Sequence, residues 1–254
     1  VNIIHSAAHT IVNITDILNY RLPIIAVFMK IAAKLAQIHN EISAAEKRFH
    51  REAGSVCLLA VSKTRTVDEI MTAFDSGQRH FGENYCQEAV EKIDAIKATG
   101  IIWHFIGPVQ SNKTKQIACY FDWVHTVDRL KIARRLNEMR PENKTPLNIC
   151  IQINISGEES KSGISLDDSE DFINELEQFK RLKVRGLMSL PAPTDDFDEQ
   201  RAAFSQLNKK LRDLNQIKPE LDTLSIGTTQ DMEAAIAEGA TIVRIGTAIF
   251  GPRN

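Results

Sequence analysis

The sequence has no basic surplus: 31 lysines and arginines stand against 33 aspartates and glutamates, a formal net charge of −2. Nonspecific nucleic-acid binding needs a positive field, so that class is set aside. A membrane-spanning run is missing too. The apolar stretch at residues 22–28 is far shorter than the roughly 20 residues a bilayer needs. It lacks a charged n-region and a small-residue cleavage site, so it is a poor signal peptide. Cysteine is scarce, with Cys57, Cys86, Cys119 and Cys150 far apart and no histidine at zinc-finger spacing. That excludes a disulfide scaffold and a cysteine-based zinc site, and leaves reduced thiols in a cytoplasmic protein as the expectation. The glycine fingerprint GxGxxG is absent after the first β-type run, where an open dinucleotide-binding sheet would carry it.

What is present is an ordinary globular composition, with 43% hydrophobic residues in 254. A chain of that length buries a sizeable core without staples. From Met29 onward Ile31, Leu35, Ile38, Ile42 and Ala45 recur at helical spacing. Residues 1–28 precede this pattern and carry one basic residue, Arg21. They are expected to be an upstream or non-native extension, with residues 29–254 as a single domain. Eight β-type runs follow, at 56–61, 79–82, 102–107, 123–126, 147–155, 184–190, 223–226 and 241–245. Helical periodicity fills the gaps, as at 67–76, 84–98, 130–139, 197–215 and 231–238, with Gly77, Gly100 and Gly239 where caps belong. Strand and helix in strict alternation, eight times, predict a closed parallel (β/α)8 barrel of TIM type.

In such a barrel the chemistry sits just past the strand ends. Those positions read Ser62-Lys63, Gly82-Glu83-Asn84-Tyr85, Gly107-Pro108, His125-Thr126, Asn154, Met188-Ser189, Ser225-Ile226-Gly227-Thr228-Thr229 and Arg244 with Gly246-Thr247. Lys63 leaves a buried strand. Desolvation at a barrel mouth makes a neutral amine available to attack carbonyls, although a solvated rim lysine would look the same in sequence. The turns at 225–229 and 246–247 are small and polar, as a phosphate site between the last two barrel loops requires. Ordinary helix caps are the alternative. Arg244 lies in a strand and needs a partner, either an acidic rim residue such as Glu83 or a ring atom of a bound cofactor.

Six segments, LLAVSKT (58–64), FGENYCQE (81–88), WHFIGPVQSNK (103–113), INISGEESKSGI (153–164), RGLMSLPAP (185–193) and RIGTAIFG (244–251), resemble the YggS/PROSC family of proteins that bind pyridoxal 5'-phosphate (PLP). The resemblance runs from about residue 29 to the C-terminus. It implies a barrel similar to the N-terminal PLP barrel of alanine racemase, without that enzyme's second β domain. Lys63 would bear PLP as an imine, and Arg244 would face the pyridine nitrogen. Ser225, Gly227, Thr228, Thr229, Gly246 and Thr247 would hold the phosphate, while Asn84 and Met188 would line the ring. The family's phosphate loop usually reads Ser-x-Gly-Met-Ser-x-Asp-Met, so Thr228 departs from it, whereas Thr229 keeps the hydroxyl. An arginine cannot accept a hydrogen bond from a protonated pyridine nitrogen as a carboxylate does, so the nitrogen stays unprotonated and the ring is a weaker electron sink, suited to modest carbanion chemistry or to storage.

Two functions compete on this scaffold. One is PLP homeostasis, storing the aldehyde and passing it to apo-enzymes that need it, with little or no catalysis. The other is amino-acid racemisation or related chemistry. An alanine-type racemase draws a tyrosine base from its second domain. Here the sequence stops at Asn254 and holds three tyrosines, Tyr20, Tyr85 and Tyr120, of which Tyr85 alone lies near the rim. Homeostasis by a monomer is therefore the expectation. A Schiff-base aldolase would share the barrel and Lys63, but not the VSKT and RIGTAIFG segments. A chain shortened to begin at Met29 is expected to bind PLP and to melt like the full chain. A stability loss above about 2 kcal/mol would show that residues 1–28 pack on the barrel.

Overall fold

Cys57-Leu58-Leu59-Ala60-Val61 is apolar at every position, as a strand reads when a core covers one face and helices the other. The computed structural model describes residues 29–96, 100–158 and 161–252. Residues 1–28, the expected extension, lie outside the described residues. Helix α1 covers 29–48. There follow β1 (Cys57–Val61), α2 (Val67–Asp75), β2 (His80–Glu83), α3 (Cys86–Ala95), β3 (Ile102–Phe105), α4 (Thr114–Tyr120), β4 (Trp123–Val127) and α5 (Leu130–Met139). The second half holds β5 (Leu147–Ile153), α6 (Ser169–Leu176), β6 (Leu182–Ser189), α7 (Phe197–Ile217), β7 (Thr223–Ser225), α8 (Met232–Ala237), β8 (Ile242–Ile245) and α9 (Thr247–Phe250). The strands close in the order β1 to β8, and β8 pairs in parallel with β1 through Cys57–Ile242 to Ala60–Ile245.

The helices form where local chemistry starts and stops them. Thr66 caps α2, accepting from the Glu69 amide while the Glu69 carboxylate accepts from the Thr66 amide. Gly77 and Gly239 take the left-handed conformation and close α2 and α8. Helix α3 ends at Ala95, short of the expected 98, so Gly100 stands beyond it. The stripe Ile31, Leu35, Ile38, Ile42 and Ala45 is buried, as its spacing predicts. It packs α1 into the outer ring between α2 and α8. Met29 and Ala32 border Thr72 and Asp75, and the Arg51 guanidinium donates to the Ile236 and Ala240 carbonyls at 3.0 Å each.

Among the described residues no helix is long and apolar enough to cross a membrane. The four cysteines are free thiols. Burial pushes Cys57 up to about 11 and Cys150 up to about 12, so neither is a thiolate at neutral pH.

The barrel interior is not wholly apolar. His80 Nδ1 lies 2.9 Å from His104 Nε2, His104 Nδ1 2.8 Å from His125 Nε2, and His125 Nδ1 2.8 Å from Ser225 Oγ. Strands β4 and β7 are not neighbours, so the last contact crosses the interior. Burial holds His104 well below the ordinary imidazole range. Burial, then the Arg244 charge, lowers His125 to about 3. In the unfolded chain these imidazoles take up protons near pH 6.5, whereas His125 in the folded barrel resists until about 3. The unfolded state therefore binds more protons throughout that window, and stability falls as pH falls. Each such histidine is expected to contribute a slope of about 1.4 kcal/mol per pH unit. Urea unfolding between pH 6.5 and 4.5 checks this, because His125→Gln should flatten the decline by one histidine's share. Parallel curves for the variant and the unaltered protein would contradict it.

Candidate cofactor site at the barrel mouth

Lys63 stands two residues past the end of β1, in a turn whose next residue, Thr64, has φ +63°. A β-branched residue in the left-handed region costs of order 1–3 kcal/mol, so its surroundings must hold it there. They do so through α3. Lys92, 6% exposed as a residue, donates from its ammonium to the Ser62 carbonyl at 2.8 Å and to Glu83 Oε1 at 3.0 Å, and also pairs with Glu88. Ser62 Oγ donates to Glu83 Oε1 at 2.6 Å, and the Thr64 amide donates to Glu88 Oε1 at 2.6 Å. The residues on both sides of Lys63 are thus fastened to one ionic cluster. Arg65 adds a tether to the far end of the chain, donating to the Gly251 carbonyl at 2.6 Å and to that of Pro252 at 3.0 Å. Burial raises the Glu83 carboxyl against the opposing pull of Lys92. Glu83 therefore serves Lys92, and is not the ionic partner of Arg244.

Arg244, also 6% exposed, rests entirely on uncharged oxygens. One guanidinium nitrogen donates to the Ser225 carbonyl at 2.5 Å and to Ser225 Oγ at 2.8 Å, and the other donates to the Ser189 carbonyl at 2.9 Å. Burial pushes it down to about 10, which leaves it a cation at neutral pH. Ser225, expected at the phosphate, instead turns its hydroxyl inward beneath Arg244. Gly227 takes φ +91°, and a Cβ there would meet the Ala235 methyl at 2.6 Å, so only glycine fits the turn. The Thr228 amide and hydroxyl donate to Asp231 Oδ1 at 2.5 and 2.7 Å. The loop is thereby closed by its own side chains at the position that departs from the family pattern. Thr229 and Thr247 are exposed at the mouth, and Gly246 packs against Val61, where a Cβ would lie 3.2 Å from the Val61 Cβ.

The remaining expected residues complete the rim. Lys63 and Asn84 each stand two residues beyond the paired Val61 and Gly82 on adjacent strands. Asn84 Oδ1 is buried without a protein partner, and Asn84 lines a cavity of about 370 Å³ with Ile106, Thr126, Gln152 and Asn154. A smaller crevice of about 100 Å³ runs from Ser189 and Pro191 past Gly227 to Arg244. Lys63 lines neither space. Met188 is sealed in β6 beside Ser225.

Sequence reasoning missed the Lys92 cluster and the histidine chain. The signal for Lys92 was a lysine on the face of α3 that buries Ala89 and Val90, four residues after Glu88. The histidines gave no local signal, because what joins them is barrel closure.

The closed parallel eight-stranded barrel defines a class, the barrel found as the N-terminal domain of alanine racemases. The sequence pattern of that domain family, described as "Alanine racemase, N-terminal domain", matches residues 34–254. The pyridoxal phosphate homeostasis protein of Haemophilus influenzae is 52% identical over 230 residues, covering 89% of this chain and 97% of the relative. That of Escherichia coli K12 is 51% identical over 227 residues, covering 88% and 97%. Among solved structures, PipY of Synechococcus elongatus with PLP bound is 33% identical at a TM-score of 0.75, covering 87% of this chain and 100% of PipY. Alanine racemase of Corynebacterium glutamicum shares the fold, with a TM-score of 0.68 at 15% identity over 89% of this chain and 62% of the enzyme. The chain belongs to the family of pyridoxal phosphate homeostasis proteins.

Replacing Lys92 by alanine strands the buried Glu83 carboxylate. It is expected to cost about 3–5 kcal/mol, as breaking a buried pair from one side does. Urea unfolding of Lys92→Ala checks this, and a loss under about 1 kcal/mol would show the cluster to be slack.

Proposed function

We propose that this protein holds PLP at the barrel mouth on Lys63 and serves intracellular PLP homeostasis, storing the cofactor in the cytoplasm and releasing it to apo-enzymes. The observation that carries the reading is the pairing of a rim lysine and a buried arginine with separate supports. Lys63 is braced by the Lys92 cluster, and Arg244 by Ser225 and Ser189. The residues fit the group. Asn84 Oδ1 offers a buried acceptor with no protein partner, and Gly227 and Gly246 let the backbone approach where a side chain could not. PLP, when bound, supplies an aldehyde that condenses reversibly with amines.

The chain's residues divide the remaining work. Lys63 supplies the amine. Arg244 keeps its charge and has no lone pair to accept a proton, so a ring nitrogen facing it stays unprotonated. Thr229, Thr247 and the backbone amides of 227, 229 and 246–247 present donors for the phosphate, while the Thr228 amide and hydroxyl are taken up by Asp231. Ser225 contributes through Arg244, and Met188 packs behind that support.

Little catalysis is expected. Tyr120 bonds to Asp94 on the outer helices at 3.2 Å, and Tyr85 is exposed at the start of α3. Neither lines the two cavities, so neither is placed as a base on the ring's other face. A positioned general acid or base typically contributes about 10²–10⁴-fold. We also take the working species to be a monomer.

Borohydride reduction of the PLP-loaded protein is expected to fix the cofactor on Lys63, and Lys63→Ala should yield no such adduct. Mapping the adduct to another lysine, such as Lys113, would overturn the assignment. In the same preparation, racemisation of any amino acid at about 1 s⁻¹ or faster, the low end of ordinary enzymes, would favour the enzyme reading.

A further inference from the structure

The histidine chain His80, His104 and His125 lies outside the cofactor residues described above, yet it ends on one of their supports. Ser225 Oγ sits between His125 Nδ1 at 2.8 Å and an Arg244 nitrogen at 2.8 Å. The guanidinium can only donate, so the serine oxygen accepts from it. The serine's own hydrogen then needs an acceptor. Ser225 is fully buried, and a hydroxyl hydrogen left unmet there is penalised. His125 Nδ1 is the acceptor in reach, which places the His125 proton on Nε2. That nitrogen faces His104 Nδ1, which must accept, so His104 carries its proton on Nε2 and donates to His80 Nδ1.

One polarity therefore satisfies every atom of the chain, and it runs outward from Arg244. The opposite polarity also fills the His–His contacts, but it strands the serine hydrogen. The rings are held to match. His104 stacks on Trp123 at 5.4 Å and 12°, and Trp123 in turn lies against the Arg185 guanidinium at 4.8 Å. His104 and His125 stay neutral, as their depressed basicity requires.

We infer that His125, with His104 behind it, is a positioning residue that fixes the Ser225 hydroxyl as an acceptor for Arg244, and so sets how firmly the site retains its cofactor. The retention half rests on the PLP function proposed above, whereas the proton arrangement does not. Without the fixed acceptor, Arg244 keeps its two carbonyl contacts but is free to tilt out of the orientation it presents to the mouth.

Two measurements decide it. Side-chain ¹⁵N NMR of the cofactor-free full chain at neutral pH is expected to show His104 and His125 neutral, each with its proton on Nε2. A proton on Nδ1 of His125, or an imidazolium there, would overturn the relay. In the PLP-loaded protein, His125→Leu is expected to release the cofactor about tenfold faster, on the scale of one hydrogen bond to a charged group. His125→Asn, which can still accept from Ser225, should recover most of the difference. His104→Phe should leave His125 in mixed tautomers and give an intermediate rate. Unchanged release in His125→Leu, whatever its melting temperature, would confine the histidines to a structural role and overturn the proposal. If the unaltered protein fails to retain PLP, the functional reading falls and the retention half with it, while the NMR result still decides the proton arrangement.

Discussion

A full positive charge sits inside this barrel with its hydrogen bonds all on uncharged oxygens, while the Asp231 carboxylate in the same crevice acts on it only electrostatically. Burying a cation is expensive unless its donors are met, and the cost sets the terms for everything around Arg244. The Ser225 carbonyl and hydroxyl and the Ser189 carbonyl meet the guanidinium, and the neighbouring imidazoles stay neutral so as not to add like charge. Were a carboxylate present instead, Arg244 would be neutralised and turned away from any ring nitrogen. The uncharged support keeps a cation available at the mouth.

The second buried ionic group is organised on the opposite principle. Lys92 and Glu83 neutralise one another, Lys92 also pairs with Glu88, and the remaining bonds go to the backbone and hydroxyl of Ser62. That cluster is a brace for a strained turn rather than a displayed charge. The two arrangements sit on the β8–β1–β2 seam, one fixing the turn that carries Lys63 and the other the guanidinium of Arg244.

Most of the fold was legible in the sequence because a barrel repeats one local rule eight times. Each strand lies within about two residues of its apolar run, and the stripe from Ile31 to Ala45 named the buried face of α1 correctly. The site was legible in part. Lys63, Arg244 and Gly227 stand where strand ends and turn chemistry put them. Ser225 did not behave as its neighbours suggested. It is the last residue of β7, and strand alternation points its side chain into the barrel while Thr228 and Thr229 remain in the loop. Glu83 was a reasonable partner for Arg244 on charge alone, but Lys92 reaches it from a helix nine residues on, a contact that depends on how α3 packs. The histidine chain depends on β4 meeting β7 across the interior, which only closure of the sheet creates.

In the proposed function Arg244 remains a cation and faces the cofactor ring while Lys63 holds the aldehyde end. The ¹⁵N chemical shift of the ring nitrogen, measured on protein loaded with ¹⁵N-labelled PLP, tests it most directly. The expected result is an unprotonated nitrogen at neutral pH, with a shift that moves when Arg244 is replaced by leucine. A protonated ring nitrogen in the unaltered protein would contradict the account.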